Sequence, residues 1–580
     1  MKDFLMGNQC IALGALDAGA VSAYGYPGTP SSEILSSFME YAPDRYAQWS
    51  INEKIALEQA TAEAASGNHV LCTMKQVGLN VAADPFFSSA YTGVTGALVI
   101  VSADDPGPYS SQTEQDSRMY AASARIPVLD PSNPSHAREL TSRAFDISHR
   151  YQVPVMIRPV MRVCHSRQDE DSSIKNNIQN RGSFQKDPAR WAATPRFRRE
   201  LHKNLIEKLE SVAAENMPDS SPQEHDLAVI ASGYPSAIFR DLNREQNYPV
   251  DVFNIDMPFP LSENFIDLVQ GRYARIIILE ETFPVMENQF RDKSRISGKW
   301  NREVPLRGEM TIDMIKDAMD KFTGREKSSA PGISLDAPSP AIPRLCAGCG
   351  HRPAFYAIRR ALPRGIYTGD IGCYTLGTNL EAVDSVLVMG ASITFAEALK
   401  RANPDRPVIA TIGDSTFFHS GVQALINAKV SAAPVTIAIL DNATTAMTGF
   451  QPVPHEISDI DITSLLTGIG IGFIKTIDPY RVKDSIELVR EASAWAEENR
   501  SPSVIIFRHA CVTRTREHGR FRISITDACT NCGICYNRFE CPALVEEEGR
   551  AEILADICTG CGVCAEICPA GAIHREEIDA

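Results

Sequence analysis

The chain has 580 residues, 44% hydrophobic and 22% charged, with a formal net charge of −15. This is ordinary globular composition, and the length predicts roughly three to five domains. The acidic balance leaves no basic surplus to meet phosphates, which counts against nucleic acid. The absence of an unbroken apolar run of about eighteen residues counts against a membrane span.

Met1 to Gly19 is interrupted by Lys2, Asp3, Asn8, Gln9 and Asp17, too often for a signal peptide. Its apolar spacing predicts a first amphipathic helix. Fifteen cysteines, an odd number, place the chain in a reducing, cytoplasmic compartment. Residues 1–165 read as one α/β domain, with strand-like runs at Ala97–Val101 and Val153–Ile157 alternating with Ala-rich helical stretches such as Glu53–Ser66. Gly25-Tyr26-Pro27-Gly28-Thr29-Pro30-Ser31-Ser32-Glu33 is a dense turn that ends in a helix-capping pattern and sets the Thr29 hydroxyl at a strand end. Taken alone, it is either a structural loop or a ligand loop. Glu53 opens a helix, where an acid is ordinary for reasons of helix polarity. Met74 to Asn80 is loop-like, with Lys75 a candidate anion contact.

Residues 166–221 turn polar and read as a crossover linker carrying one helix that ends near Asn216. Residues 222–322 form a smaller α/β unit, with strands at Leu227–Ala231, Val250–Phe253 and Ile276–Glu280, and no catalytic constellation. Residues 323–343 are a proline-rich linker. In residues 344–515 two apolar strands break at Gly413-Asp414-Ser415 and at Asp441-Asn442-Ala443-Thr444. Asp414 and Asn442, twenty-eight residues apart, then present a carboxylate and an amide oxygen at one sheet edge. That pair suits Mg²⁺, a hard cation that shares its shell with a substrate diphosphate, and Gly413 would allow close backbone approach. The spacing is similar to the thiamine diphosphate motif; two unrelated polar turns are the alternative. Upstream, Cys346-Ala347-Gly348-Cys349-Gly350-His351 supplies two thiols that Cys373 and Cys511 complete to four. They are either a third iron–sulfur site or buried thiols lining a pocket.

Residues 520–580 carry the strongest pattern. C529-x2-C532-x2-C535 with C541-P, and C558-x2-C561-x2-C564 with C568-P, have the cadence of a two-cluster bacterial ferredoxin. Each triplet borrows its fourth ligand from the other run, giving Cys529, Cys532, Cys535 and Cys568 for one [4Fe-4S] cluster and Cys541, Cys558, Cys561 and Cys564 for the second. Cys535 and Cys541 are separated by five residues instead of the usual C-x3-C. Disulfides or structural zinc need neither this third-Cys cadence nor the paired Cys-Pro.

With both patterns on one chain, the sequence resembles the 2-oxoacid:ferredoxin oxidoreductases, most closely their indolepyruvate-type large (alpha) subunits. The resemblance is carried by Gly25 to Ser32, Cys346 to His351, Gly413 to Gly421 and Asn442 to Gly449, and it covers nearly the whole length. It implies an α/β multidomain fold with two thiamine-diphosphate-binding domains, a smaller α/β middle domain and a C-terminal two-cluster ferredoxin-like α+β domain. It implies that Glu53 hydrogen-bonds the aminopyrimidine ring nitrogen, that Thr29 meets the substrate carbonyl or carboxylate, and that Gly413, Asp414, Ser415, Asn442, Thr444, Gly350 and His351 surround the cofactor. Asp414, Asn442 and the Thr444 carbonyl would then hold Mg²⁺. The implied reaction is oxidative decarboxylation of an aryl pyruvate, or of another 2-oxoacid, with coenzyme A as acyl acceptor and ferredoxin as electron acceptor. The implied assembly is a dimer of units pairing this chain with a smaller beta subunit.

Overall fold

The apolar runs of this chain become the buried strands of parallel sheets. The computed structural model describes residues 2–175, 182–192, 194–218, 224–325, 343–516 and 519–577 and divides into two units, Met1–Ser334 and Leu335–Ala580. Most of the proline-rich stretch 323–343, and parts of 166–221, lie outside the described residues.

The first unit opens with β1 (Lys2–Met6), β2 (Ser22–Gly25), β3 (Tyr46–Trp49), β4 (His69–Lys75), β5 (Ala97–Ala103), β6 (Val128–Leu129), β7 (Val155–Ile157) and β8 (Arg167–Asp171). Six of these form a parallel sheet ordered β3-β2-β4-β5-β7-β6. Every residue of β5 is buried, as expected of a central parallel strand covered on both faces. One face packs on the helices Gly7–Asp17, Ser32–Tyr41 and Pro134–Tyr151 through Leu16, Phe38 and Phe145. The other packs on Glu53–Ala65 and Ala83–Thr92 through Leu57, Ala60 and Phe86. The chain start differs from the expected single amphipathic helix. Residues 2–6 pair antiparallel with β8, and Gly7–Asp17 is buried nearly all round because the helices Pro134–Tyr151 and Ser32–Tyr41 both pack against it. The polar stretch after 165 thus begins with a strand, and its helix Pro195–Glu215 buries Leu205 and Val212 on the same domain.

A second parallel sheet in this unit, from β9 (Leu227–Ser232), β10 (Asp251–Ile255), β11 (Arg275–Leu279) and β12 (Ile296–Ser297), is ordered β10-β9-β11-β12. Buried charges join the two sheets. Arg158 bonds Asp104 (2.7 Å) and Thr282 (3.2 Å), while Arg118 bonds Asp116 (2.7 Å) and the Phe283 carbonyl (3.2 Å).

In the second unit β13 (Ile366–Thr368), β14 (Val408–Gly413), β15 (Thr436–Asp441), β16 (Ile474–Ile477) and β17 (Ser503–Arg508) form a parallel sheet ordered β13-β14-β15-β17-β16. The tail adds two antiparallel hairpins: β18 (Phe521–Ile525) pairs with β21 (Ile573–Glu577), and β19 (Leu544–Glu547) with β20 (Arg550–Ile553). They close over a small core of Phe539, Leu544, Val563 and Ile567, which Val482 extends into the preceding domain. No described helix is long and apolar enough to cross a membrane.

Candidate active site and iron–sulfur ligands

In the first unit, Glu53, Lys75 and the Thr29 loop gather at the C-terminal edge of the parallel sheet, where ligands bind in open α/β folds. Asn52 caps the helix Glu53–Ala65, its side chain accepting from the Ile55 amide at 2.9 Å, and this fixes Glu53 in the first turn. Glu53 is only 5% exposed, and its carboxylate lies against Gly78. Any Cβ on Gly78 would stand 2.5 Å from Glu53 Oε1. The Lys75 ammonium donates to the carbonyl (3.0 Å) and hydroxyl (3.1 Å) of Ser110, whose hydroxyl also reaches the Thr29 carbonyl at 3.3 Å. Burial pushes the Lys75 ammonium down to about 8.

In the second unit, β14 and β15 run side by side and end at Gly413 and Asp441, so Asp414 and Asn442 leave one sheet edge together. Thr445 Oγ1 joins the two turns by donating to Ser415 Oγ at 3.1 Å. Asp414 Oδ1 accepts from the Ser415 amide at 2.8 Å, whereas Oδ2 is buried without a hydrogen-bond partner. Asp414, Asp441 and His455 bring ligand atoms within 4.8 Å of one another. Burial, and then the neighbouring Asp441 carboxylate, raise the Asp414 carboxyl. Asp441 is also buried, but its bonds from His455 (3.0 Å) and Arg508 (2.7 Å) hold it low.

An orphaned buried carboxylate oxygen beside a second carboxylate is what a hard divalent cation would satisfy, so the donor set fits Mg²⁺. Asn442 Oδ1 accepts the Thr444 amide at 3.3 Å, and Thr444 Oγ1 donates to the Gln451 carbonyl at 3.3 Å. Asp441 and His455 did not emerge from sequence reasoning. Asp441 adjoins Asn442 in sequence and was within reach of the motif, but His455 was not. Gly413 also meets an aromatic ring. Its missing side chain makes room for the ring of Tyr374, whose hydroxyl bonds Thr416. His351 opens the helix His351–Ala361 and packs edge-on to Tyr374. Burial, and then His509, push its imidazole down to about 4, which leaves it neutral. Gly350 is pinned against His509, where a Cβ would meet a ring-bearing carbon at 2.6 Å.

Cys346 and Cys349 from one loop, Cys373 from the turn after β13 and Cys511 from the turn after β17 come together. The Cys373 thiol is pushed up to about 12, first by burial and then by Cys349, Cys511 and Cys346. The Cys511 amide donates to the Asn442 carbonyl at 3.3 Å, tying this thiol group to the turn after β15.

The tail holds two cavities. One is lined by Cys529, Cys532, Cys535 and Cys568. The other is lined by Cys541, Cys558, Cys561 and Cys564, together with Ala347 and Gly348. Gly533 and Gly562, which follow the second cysteine of each triplet, have φ of 73° and 76°, a wrap that a Cβ would strain. Arg352 lies between the second cavity and the Cys346 loop. It is 2% exposed and bonds the carbonyls of Leu345, Cys346, Phe539 and Glu540.

A sheet-edge acidic site and two cysteine-lined cavities on one chain fit an oxidoreductase that pairs a diphosphate cofactor with iron–sulfur centres. Residues 370–507 match the thiamine pyrophosphate enzyme C-terminal TPP-binding domain, and residues 551–574 the 4Fe-4S binding domain. The chain is 35% identical to indolepyruvate oxidoreductase subunit IorA of Methanothermobacter thermautotrophicus over 99% of this chain and 97% of that one. It is 36% identical to the IorA subunit of Thermococcus kodakarensis over 98% and 96%. The chain therefore belongs to the indolepyruvate oxidoreductase IorA family. A solved 2-oxoglutarate:ferredoxin oxidoreductase from Magnetococcus marinus is similar at 15% identity and TM-score 0.47, covering 55% of this chain and 65% of that one.

Proposed function

We propose that this chain is the large subunit of an enzyme that converts an aryl 2-oxo acid and coenzyme A into an acyl-CoA, CO2 and a proton, passing a pair of electrons to ferredoxin. Indolepyruvate, phenylpyruvate and hydroxyphenylpyruvate are the substrates in view, and a smaller beta subunit completes the unit, which dimerises. What supports the substrate class is full-length similarity to IorA subunits together with the presence of Glu53, Asp414 and Asn442.

Bound thiamine diphosphate supplies an electron sink for the carbanion that decarboxylation leaves. Glu53 hydrogen-bonds the aminopyrimidine ring nitrogen from its buried seat against Gly78, and Thr29 meets the substrate carbonyl. Asp414, Asn442 and the Thr444 carbonyl would hold Mg²⁺, which would neutralise the diphosphate, while His455 and Arg508 hold the neighbouring Asp441 in place. Gly413, Ser415, Gly350 and His351 shape the surrounding wall. Cys346, Cys349, Cys373 and Cys511 would hold a third [4Fe-4S] cluster. Cys541, Cys558, Cys561 and Cys564, whose cavity touches Ala347 and Gly348, would hold a second beside it. Cys529, Cys532, Cys535 and Cys568 would hold the remaining one, and together the clusters would supply one-electron transfer toward ferredoxin.

The test is viologen reduction by the anaerobically purified complex with coenzyme A and each candidate 2-oxo acid. Turnover of indolepyruvate and phenylpyruvate is expected, with pyruvate much poorer. Activity confined to pyruvate would remove the aryl assignment.

A further inference from the structure

β4 ends on a cation in an unusual position. Lys75 is 8% exposed, and its two hydrogen bonds go to neutral oxygens of one residue, Ser110. No carboxylate among the described residues pairs with it directly. Asp105 acts on it from a distance, with Ser110 Oγ lying between them at 3.1 Å from the ammonium and 3.4 Å from Asp105 Oδ2. The Asp105 carboxylate is already occupied by the amides of Tyr109 (3.1 Å) and Ser110 (2.9 Å) and by the Ser111 hydroxyl (2.8 Å). An ammonium has three protons to donate, and a buried one without a counterion is costly to maintain.

Its neighbours are the residues assigned to the chemistry. The Thr29 loop lies on the lysine stem, since a Cβ on Gly28 would stand 2.9 Å from Lys75 Cβ. Ser110 Oγ bonds the Thr29 carbonyl at 3.3 Å, and Glu53 packs against Gly78, about one helical turn past Lys75. Every 2-oxo acid carries a carboxylate next to the carbonyl that reacts. We propose that Lys75 takes that carboxylate with its remaining proton and so fixes the keto carbon beside Thr29. This rests on the substrate class read above. Among the described residues, the charged group that acts on Lys75 is Asp105, from the segment after β5.

The test uses the complete enzyme with its small subunit and the variants Lys75→Met and Lys75→Arg. Lys75→Met should raise KM for the 2-oxo acid about 100-fold, with KM for coenzyme A, bound thiamine diphosphate and iron content unchanged. Wild-type kcat/KM should fall as pH rises through about 8, and Lys75→Arg should remove that fall because a guanidinium stays charged. Binding without turnover supplies a second reading. Wild type should hold indole-3-propionate more tightly than the uncharged indole-3-propanol, and Lys75→Met should erase the difference. Two results overturn the proposal: carboxylate binding unchanged in Lys75→Met, or loss of thiamine diphosphate instead, which would make the cofactor's diphosphate the anion. If Lys75→Met does not fold, the pH profile of Lys75→Arg decides alone. If the enzyme rejects aryl acids, the same comparison on the 2-oxo acid it does oxidise separates failure of that reading from failure of this one.

Discussion

Glu53 keeps its place because Gly78 has no side chain. A methyl group there would lie 2.5 Å from Oε1 and 2.7 Å from Cγ, so the Glu53 side chain would have to shift. A displacement on the order of 1 Å at a positioning carboxylate costs about 100-fold in rate. Gly78→Ala should therefore lower kcat about as far as Glu53→Gln does, while iron content and the far-ultraviolet spectrum stay unchanged. Steady-state viologen reduction beside iron quantification tests this, and full activity in Gly78→Ala would detach Glu53 from the mechanism. Glu53 itself was legible in the sequence as a first-turn acid within a family pattern. Its glycine partner was not, because residues 53 and 78 meet only once the helix Glu53–Ala65 lies on β4. Asp441 and His455 divide in the same way: one adjoins the motif, and the other arrives from a separate turn.

At the scale of elements, three segments supply the four candidate ligands: the turn before the helix His351–Ala361 gives Cys346 and Cys349, the turn after β13 Cys373, and the turn after β17 Cys511. Removing a single thiol from a four-cysteine cluster exposes an iron corner. Cys373→Ala should thus lower bound iron from about twelve to about eight per chain, with the two tail clusters retained. Low-temperature electron paramagnetic resonance would show which signals remain, and about eight irons in wild type would mean that these thiols hold no cluster. The tail was readable without tertiary information because its ligands recur within a few residues, and local geometry sets such a cadence. Which cavity abuts the Cys346 loop was not readable. Arg352 decides it by binding main-chain carbonyls from both sides, two of them beside Cys541.

At the scale of the whole molecule, the two sheets of the first unit are joined by a buried charge network that includes Glu281. Glu281 accepts from the Met310 amide at 2.8 Å, and its other oxygen is buried without a partner. Burial pushes this carboxyl from its ordinary 4.5 up to about 7, against the pull of Arg158. A carboxyl raised on folding contributes stability that is fully present below pH 4.5 and is lost as pH rises through about 7. Glu281→Gln should flatten that part of the melting-temperature profile, and an identical pH dependence in the two proteins would refute the role. The sequence by itself determined the central apolar strands such as Ala97–Val101 and Val408–Ile412, the ferredoxin cadence and the acid–amide pair after adjacent strands. These rest on short-range periodicity and on ligand spacings that backbone geometry dictates. Only the tertiary structure decided that residues 2–6 form a strand with β8, that Tyr374 fills the space beside Gly413, that four scattered thiols converge, and that Lys75 is buried beside Thr29. Each of these is a contact between segments far apart in sequence, and no local pattern encodes it.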